Sequence, residues 1–193
     1  ARWRNSFLKF LRKVTLRCGG CKPLLIKSPV HTARVELLLQ LFPNARFIYI
    51  HRNPYQVFQS ATHMADAYYW YSYLQTPTDE DVVEWILWQY THLYTCYVAD
   101  RKLIEKSRLV EIAFHDLEKS PTDEIRRVYK TFGLEGFESL QPVLERYTQS
   151  LTDFKKNAHV PISDQMANVV RERWGPSFET FNYSKDIIPG QLD

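Results

Sequence analysis

The chain has 193 residues, of which 45% are hydrophobic and 15% aromatic, and its formal net charge is +3. This length provides one hydrophobic core and hardly two, and no apolar run is long enough to span a bilayer as a helix. The weak positive charge suits an anionic small ligand and lies far below the charge density of a dedicated nucleic-acid-binding protein.

The first residues alternate basic and apolar side chains at helical spacing, which predicts an amphipathic helix over residues 3–13. An ordinary amphipathic helix is favoured over a transit or membrane-surface helix, which is the alternative that this pattern leaves open. The sequence begins at Ala1 without a Met, so we expect it to be a segment of a longer protein.

Two strands with a helix between them follow. Residues 23–26 predict a first strand, and residues 46–51, which are rich in β-branched and aromatic side chains, predict a second. Between the strands, apolar residues repeat at helical spacing and predict a helix over residues 32–41. Pro54 suits the first position of the next helix, which runs past Ser60.

The second half of the chain continues this alternation. Residues 79–106 predict a long helix, and residues 108–114 predict a third strand. A Ser-Pro-Thr-Asp-Glu stretch then opens a helix that ends at Gly133. Helices near residues 136–148 and 163–174 complete the prediction. Strands that alternate with helices imply an α/β fold, with a parallel sheet covered by helices on both faces.

Polar and basic side chains follow the first two predicted strands. Lys27 and Ser28 end the first strand, while Arg52 ends the second and lies eight residues before Ser60. Carboxyl ends of parallel strands meet helix N-termini at one edge of a sheet, where anions bind. Because Arg offers a rigid fork of donors and Ser a compact hydroxyl, we expect Arg52 and Ser60 to hold one anion.

The segment after the second strand resembles the 3′-phosphate-binding motif of sulfotransferases that use 3′-phosphoadenosine 5′-phosphosulfate (PAPS). The motif reads His51-Arg52-Asn53-Pro54-x-x-Val57-x-x-Ser60. Other segments are similar to the broad bacterial-type or Golgi-type sulfotransferase group in order and spacing, and together they cover nearly the whole chain. They are Leu25 to Pro29 with His31, Ile112 to Pro121, and Lys156 to Tyr183.

The resemblance implies a fold and a set of donor-binding residues. The fold would be a three-layer, P-loop-NTPase-like parallel sheet flanked by helices. Arg52 and Ser60 would hold the 3′-phosphate of the donor, and Phe114 would lie next to the adenine, where relatives have an aromatic side chain. Lys155 and Lys156 either fold over the donor phosphates or form a solvated pair of charges.

Two residues near the first predicted strand are candidates for catalysis. Lys27 matches a position at which relatives place a lysine near the transferred sulfuryl group, and the alternative is an exposed lysine. His31 either removes the proton from the acceptor or serves as a capping or packing residue. Some relatives use a His close to this strand as the base, but Pro29 occupies the matching position here, and others use a Glu from elsewhere.

The implied reaction is transfer of a sulfuryl group from PAPS to a hydroxyl or amine by in-line displacement. Such a site needs fixed cations around the leaving bisphosphate and no metal. The acceptor would be a small molecule, a glycan or a lipid, with no nucleic acid as partner. The aromatic stretch at residues 68–73 either lines an acceptor cleft or packs within the fold.

The sequence contains no loop that resembles the family's 5′-phosphosulfate-binding loop. We therefore expect residues 1–193 to be a single sulfotransferase-like domain that is incomplete at its N-terminus, the C-terminal portion of a longer domain. The alternative is a non-catalytic module that binds 3′-phosphoadenosine nucleotides or another protein. A cytoplasmic location is favoured, and the Golgi lumen is possible if an anchor lies upstream.

Overall fold

The structure is a computed structural model, and it describes residues 2–20, 22–151, 153–155 and 160–186. The chain divides into two compact units, residues 1–31 and residues 32–193. That all 193 residues form one domain stays a prediction.

The first unit contains one long helix, α1 (Arg2–Arg17), which extends beyond the predicted residues 3–13 at both ends. A tight turn follows, in which Gly19 and Gly20 have φ angles of 83° and 78°. Glycine suits both positions because a Cβ atom disfavours positive φ. The N-terminal helix predicted from the alternating pattern is therefore confirmed, and it is five residues longer than predicted.

The strand predicted at residues 23–26 is wrong, because residues 23–28 form no regular element. The side chain of Leu25 is 92% exposed there, although a buried strand was expected. A strand exists only through hydrogen bonds to a neighbouring strand, and Pro23 has no N–H to donate. Within the described part of the chain, no strand pairs with this segment.

The second unit contains most of the secondary structure. A 3₁₀ segment, Pro29–Arg34, leads from the first unit into it. Its helices are α2 (Val35–Leu41), α3 (Pro54–Tyr68), α4 (Asp79–Asp100), α5 (Phe114–Lys119), α6 (Pro121–Phe132), α7 (Phe137–Ser150), α8 (Asp164–Arg173) and α9 (Gly175–Thr180). Its strands are β1 (Phe47–His51) and β2 (Leu109–Ala113). Shorter 3₁₀ segments lie at Tyr69–Ser72, Arg101–Leu103 and Lys106–Arg108.

Strands β1 and β2 lie within one residue of the predicted positions and pair in parallel, as expected. The register runs from Phe47 opposite Leu109 to His51 opposite Ala113. Both strands therefore end at the same edge of the sheet. Within the described residues the sheet has these two strands, rather than the predicted three.

Helices pack on both faces of the sheet. On one face, Val110 and Ile112 of β2 are buried against Val128 and Phe132 of α6. On the other face, the Tyr49 ring of β1 stacks on Tyr97 of α4 with 3.7 Å between ring centres. This alternation of buried side chains gives the three layers that were predicted.

Helix α4 begins at the predicted residue, Asp79, and ends earlier than predicted. Thr78 and Asp81 form a capping box, in which each side chain accepts the other residue's backbone N–H. The prediction of residues 79–106 was too long because Ile104 is buried against Val35 and Tyr97. To reach that core, the chain leaves the helix after Asp100 and becomes extended at Ile104.

A second core joins α3 and α4 to the C-terminal helices. It contains Tyr55 and Phe58 of α3, Leu87 of α4, and Trp174 just after α8. The indole N–H of Trp174 donates to the carbonyl oxygen of Leu87 at 3.0 Å, so the one polar atom of this buried ring has a partner. This core fixes the separation between α3 and α4, and a cavity lies between these helices.

Candidate functional site

Arg52 occupies the short link between β1 and α3. The next residue, Asn53, caps α3, because its side-chain oxygen accepts the backbone N–H of Tyr55 at 3.0 Å. Pro54 then takes the first helical position, where its fixed φ and missing N–H cost nothing. The Asn-Pro pair thus ends the link after one residue and holds Arg52 at the helix N-terminus.

Two neighbours orient the guanidinium of Arg52. Its Nε–H donates to Oε1 of Gln56, one turn along α3, at 3.1 Å. Its Cζ atom lies 4.6 Å from the centre of the Phe114 ring. Phe114 is there because His51 and Ala113 are paired in the parallel sheet, so the residues that follow them emerge side by side. A guanidinium over an aromatic face is attracted to its π electrons.

Arg52 and Ser60 line the same cavity, which has a volume of about 240 Å³. The cavity lies between α3 and α4 and reaches the ring of Trp174. Gln89 and Tyr90 of α4 add two further polar side chains to its wall. Its apolar lining comes from Val57, Ala61, Met64, Ile86, Leu93 and Trp174. The structure therefore brings together the two residues that the sequence paired across eight positions.

The electrostatics of this cavity favour an anion. Among the described residues that line it, Arg52 contributes a positive charge, and no Asp or Glu is present. Burial raises the pKa of Tyr90 to about 12, against the opposing effect of a hydrogen bond with Ser177, so its hydroxyl is neutral at pH 7. A ligand with a negative group at one end and apolar surface at the other matches this arrangement.

Behind Arg52, the neighbouring His51 packs into the fold. Its Nδ1 lies 2.9 Å from the hydroxyl of Tyr183, and its ring stacks on Phe181 with 4.3 Å between ring centres. Burial lowers the pKa of His51, and the nearby His115 lowers it further, against the opposing effects of Glu111 and Asp116. The imidazole is therefore neutral at pH 7 and supports the strand end without adding charge.

Lys27 and His31 belong to the first unit. Lys27 is exposed and lies in the irregular segment that was predicted as a strand. His31 lies in the 3₁₀ segment that leads into α2, which agrees with its expected place near a helix start. Its backbone N–H donates to the carbonyl of Ser28 at 3.0 Å, and its ring packs edge-on against Phe7. The catalytic roles of both residues stay predictions.

The two lysines expected over the donor phosphates are placed only in part. Lys155 is exposed in the segment that follows α7. Lys156 lies outside the described residues. Whether they bind phosphate or form a solvated pair stays open.

Sequence reasoning missed some members of this site. Gln56 was detectable, because it lies four residues after Arg52 on a predicted helix, and side chains at that spacing meet. Gln89 and Tyr90 carried no such signal, since they reach the cavity through the packing of α4 on α3. The Arg52–Phe114 contact follows from the strand register, which the sequence does not encode in a readable pattern.

Two further features of the described residues bear on the site. No group of three or more His, Cys, Asp or Glu side chains is arranged to hold a metal ion there. Likewise, no helix in the described ranges is both long and apolar enough to cross a membrane.

The fold is also found in a solved protein. The crystal structure of a sulfotransferase from Mycobacterium avium matches this chain with a TM-score of 0.66, at 20% sequence identity. The match covers 82% of this chain and 42% of that protein. At this level of identity the likeness concerns the fold, and it supports the three-layer, P-loop-like architecture.

Sequence comparison gives the family. Two relatives are 32% identical to this chain over 183 residues, and both are omega-hydroxy-beta-dihydromenaquinone-9 sulfotransferases, one from Mycobacterium bovis and one from Mycobacterium tuberculosis. These matches cover 95% of this chain and 46% of each relative, so the chain spans about half the length of these curated proteins. The family model described as "Sulfotransferase family" matches residues 2–139. The chain therefore belongs to the sulfotransferase family.

Proposed function

We propose that this chain provides the nucleotide-binding half of a PAPS-dependent sulfotransferase. The observation that supports this most directly is the shared cavity of Arg52 and Ser60, with Phe114 against the guanidinium. Arg52 and Ser60 would bind the 3′-phosphate of the donor, and Phe114 would lie beside its adenine. Because the chain spans about half of its relatives, the complete activity is proposed for the whole protein.

The residues present fit an adenosine 3′-phosphate. The Nε–H of Arg52 goes to Gln56, so the two Nη groups of its fork are left to face a phosphate. The Ser60 hydroxyl on the same cavity adds a donor that is short and adaptable. Phe114 offers an aromatic face at the same sheet edge, where a purine can stack.

When bound, the donor supplies the sulfuryl group and a bisphosphate leaving group whose negative charge grows during transfer. The chain's own contribution is fixed positive charge, which is most effective when it is positioned before the reaction begins. Arg52 fills this role at the 3′ end, and we propose Lys27 for the sulfuryl end. We further propose that His31 takes the acceptor proton, and that Lys155 and Lys156 bind the donor phosphates.

For the acceptor we propose a hydroxyl group on a lipid-like molecule. Support comes from the two mycobacterial relatives, whose names describe sulfotransferases for a hydroxylated dihydromenaquinone. In the described chain, the end of α3 and the segment after it also expose large apolar side chains. These are Tyr68, Trp70, Tyr71 and Leu74. Such a surface suits an acceptor with a large apolar part.

The nucleotide site is tested by calorimetry on this chain with 3′,5′-adenosine bisphosphate. We expect Arg52→Ala to weaken binding by roughly 10- to 100-fold, because a charged hydrogen bond is lost, and Ser60→Ala by several-fold. The exposed Arg146 provides a matched control, and Arg146→Ala should leave the affinity unchanged.

A second ligand separates the 3′-phosphate from the rest of the nucleotide. Adenosine 5′-monophosphate lacks that phosphate, so wild type and Arg52→Ala should bind it equally weakly. Equal affinity of wild type, Arg52→Ala and Ser60→Ala for the bisphosphate would refute the assignment of the cavity.

A further inference from the structure

The charge of this chain is unevenly distributed along the sequence. Residues 1–31 contain eight Lys or Arg side chains and no Asp or Glu, and the first acidic residue is Glu36. Because the whole chain carries +3, residues 32–193 carry a net charge of −5. The first unit is therefore a strongly basic segment attached to an acidic second unit. Such asymmetry is typical of a segment that contacts an anionic surface.

Most of this positive charge lies on α1, which is amphipathic along its whole length. Trp3, Phe7, Phe10 and Val14 repeat at i, i+4, i+7 and i+11 and so share one face of the helix. Arg2, Lys9 and Lys13 share another face, together with polar Asn5 and Ser6.

The apolar face of α1 is partly in solvent. The Phe10 side chain is 59% exposed, and Trp3 is also exposed. The segment that follows α1 exposes further aliphatic side chains of the same unit, Leu25, Ile26 and Val30. Exposed aromatic and aliphatic side chains beside a dense basic face are the pattern of helices that lie in the plane of a bilayer interface.

We infer that α1 docks on the surface of an anionic lipid bilayer, with Phe10 and Trp3 entering the boundary between headgroups and acyl chains. Arg2, Lys9 and Lys13 then meet the lipid phosphates. The charge complementarity is complete, because the helix has six basic and no acidic residues. A nucleic acid would use the same charges but would leave the apolar face in water. The inference rests on α1 alone.

The test is co-sedimentation of the full chain with lipid vesicles in about 0.1 M salt. We expect binding to phosphatidylcholine vesicles that contain about one third phosphatidylglycerol, and weak binding to pure phosphatidylcholine. Binding should weaken as salt is raised, because exposed charges are screened. No binding to the anionic vesicles would overturn the inference.

Paired variants locate the contact. Lys9→Ala with Lys13→Ala should lower the partition coefficient about 25-fold, since each basic residue near an anionic surface contributes about fivefold. The control pair, Lys102→Ala with Lys119→Ala, removes the same charge from exposed positions of the second unit and should have little effect. An equal fall in the partition coefficient for both pairs would show that the overall charge, and not α1, determines vesicle binding.

Phe10→Ser distinguishes a bilayer from any other polyanion. We expect it to weaken vesicle binding about tenfold, because the exposed ring no longer enters the interface. Binding to a DNA duplex of similar charge should be unchanged by the same substitution. If Phe10→Ser left vesicle binding intact while the lysine pair lowered it, the surface would be a general polyanion site and the bilayer assignment would be wrong. Circular dichroism of each variant checks that α1 still forms.

Discussion

The Cζ atom of Arg52 lies 4.6 Å from the centre of the Phe114 ring, at the sheet edge where β1 and β2 both end. The two residues are far apart in sequence and become neighbours because His51 pairs with Ala113 in a parallel register. The ring shields one face of the guanidinium from water and limits its orientations. The residue proposed for the adenine thereby also orients the residue proposed for the 3′-phosphate.

This contact predicts that Phe114 affects nucleotide binding in two ways. We expect Phe114→Leu to lower the affinity for 3′,5′-adenosine bisphosphate by roughly 3- to 10-fold, because both the cation–π contact and the stacking face are lost. Phe114→Tyr keeps the ring and should bind at least as well as wild type. Calorimetry measures both, and equal affinity of the Leu and Tyr variants would contradict the proposed role of the ring.

Gln56 is expected to act as a positioning residue for Arg52. Gln56→Ala removes the partner of the Arg52 Nε–H, so the guanidinium must be ordered when the ligand binds. We therefore expect the affinity for 3′,5′-adenosine bisphosphate to fall a few-fold. Gln56→Glu should weaken binding more, because its carboxylate competes with the phosphate for Arg52. High salt should reduce the difference in affinity between the Ala and Glu variants, because it screens the charge that Glu adds. Calorimetry at two salt concentrations measures both effects, and wild-type affinity in both variants would contradict the positioning role of Gln56.

The catalytic proposal for Lys27 is tested in the full-length protein. Lys27→Ala should lower kcat by about 100- to 1000-fold with a smaller change in KM for the donor, since the lysine is proposed to stabilise charge that develops during transfer. Lys22→Ala, an exposed lysine in the same unit, is the matched control and should retain activity. Turnover of the Lys27→Ala protein at the wild-type rate would remove Lys27 from the site.

His51 is expected to make the stability of the fold depend on pH. Burial lowers the pKa of His51 in the folded state, whereas in the unfolded chain it titrates near the usual 6.5. Below about pH 6.5 the unfolded state therefore binds more protons than the folded state. The free energy of unfolding should fall as the pH drops through this range and rise again towards pH 7.5.

Urea unfolding between about pH 5.5 and 7.5 measures this effect, and His51→Gln should flatten the dependence. The substitution also removes the ring contact with Phe181, so the variant should be less stable at every pH. This loss of stability is the same at every pH. The change in the free energy of unfolding with pH is therefore the informative quantity. An unchanged slope would assign the dependence to other histidines.

Local patterns in the sequence were sufficient for most of the elements. The β-branched and aromatic content of residues 46–51 located β1, and Gly133, which has a positive φ of 59°, ends α6 as predicted. The prediction of a strand at residues 23–26 was wrong. An apolar run indicates only that side chains tend to be buried, whereas a strand forms only beside a paired neighbour. The predicted end of α4 was wrong because Ile104 packs against residues distant in sequence, and this contact outweighs the helical periodicity.

The same distinction between local patterns and long-range contacts applies to the candidate site. The sequence by itself placed together the two residues proposed for the 3′-phosphate, because Arg52 and Ser60 lie on one short segment whose Asn-Pro cap holds the arginine beside a helix that carries the serine. Only the tertiary structure decided what completes that pair. Phe114 joins it through strand register, and Gln89, Tyr90 and Trp174 close the cavity through the packing of α4 and the C-terminal helices. Contacts between segments distant in sequence depend on the mutual fit of whole surfaces, and no local pattern records that fit.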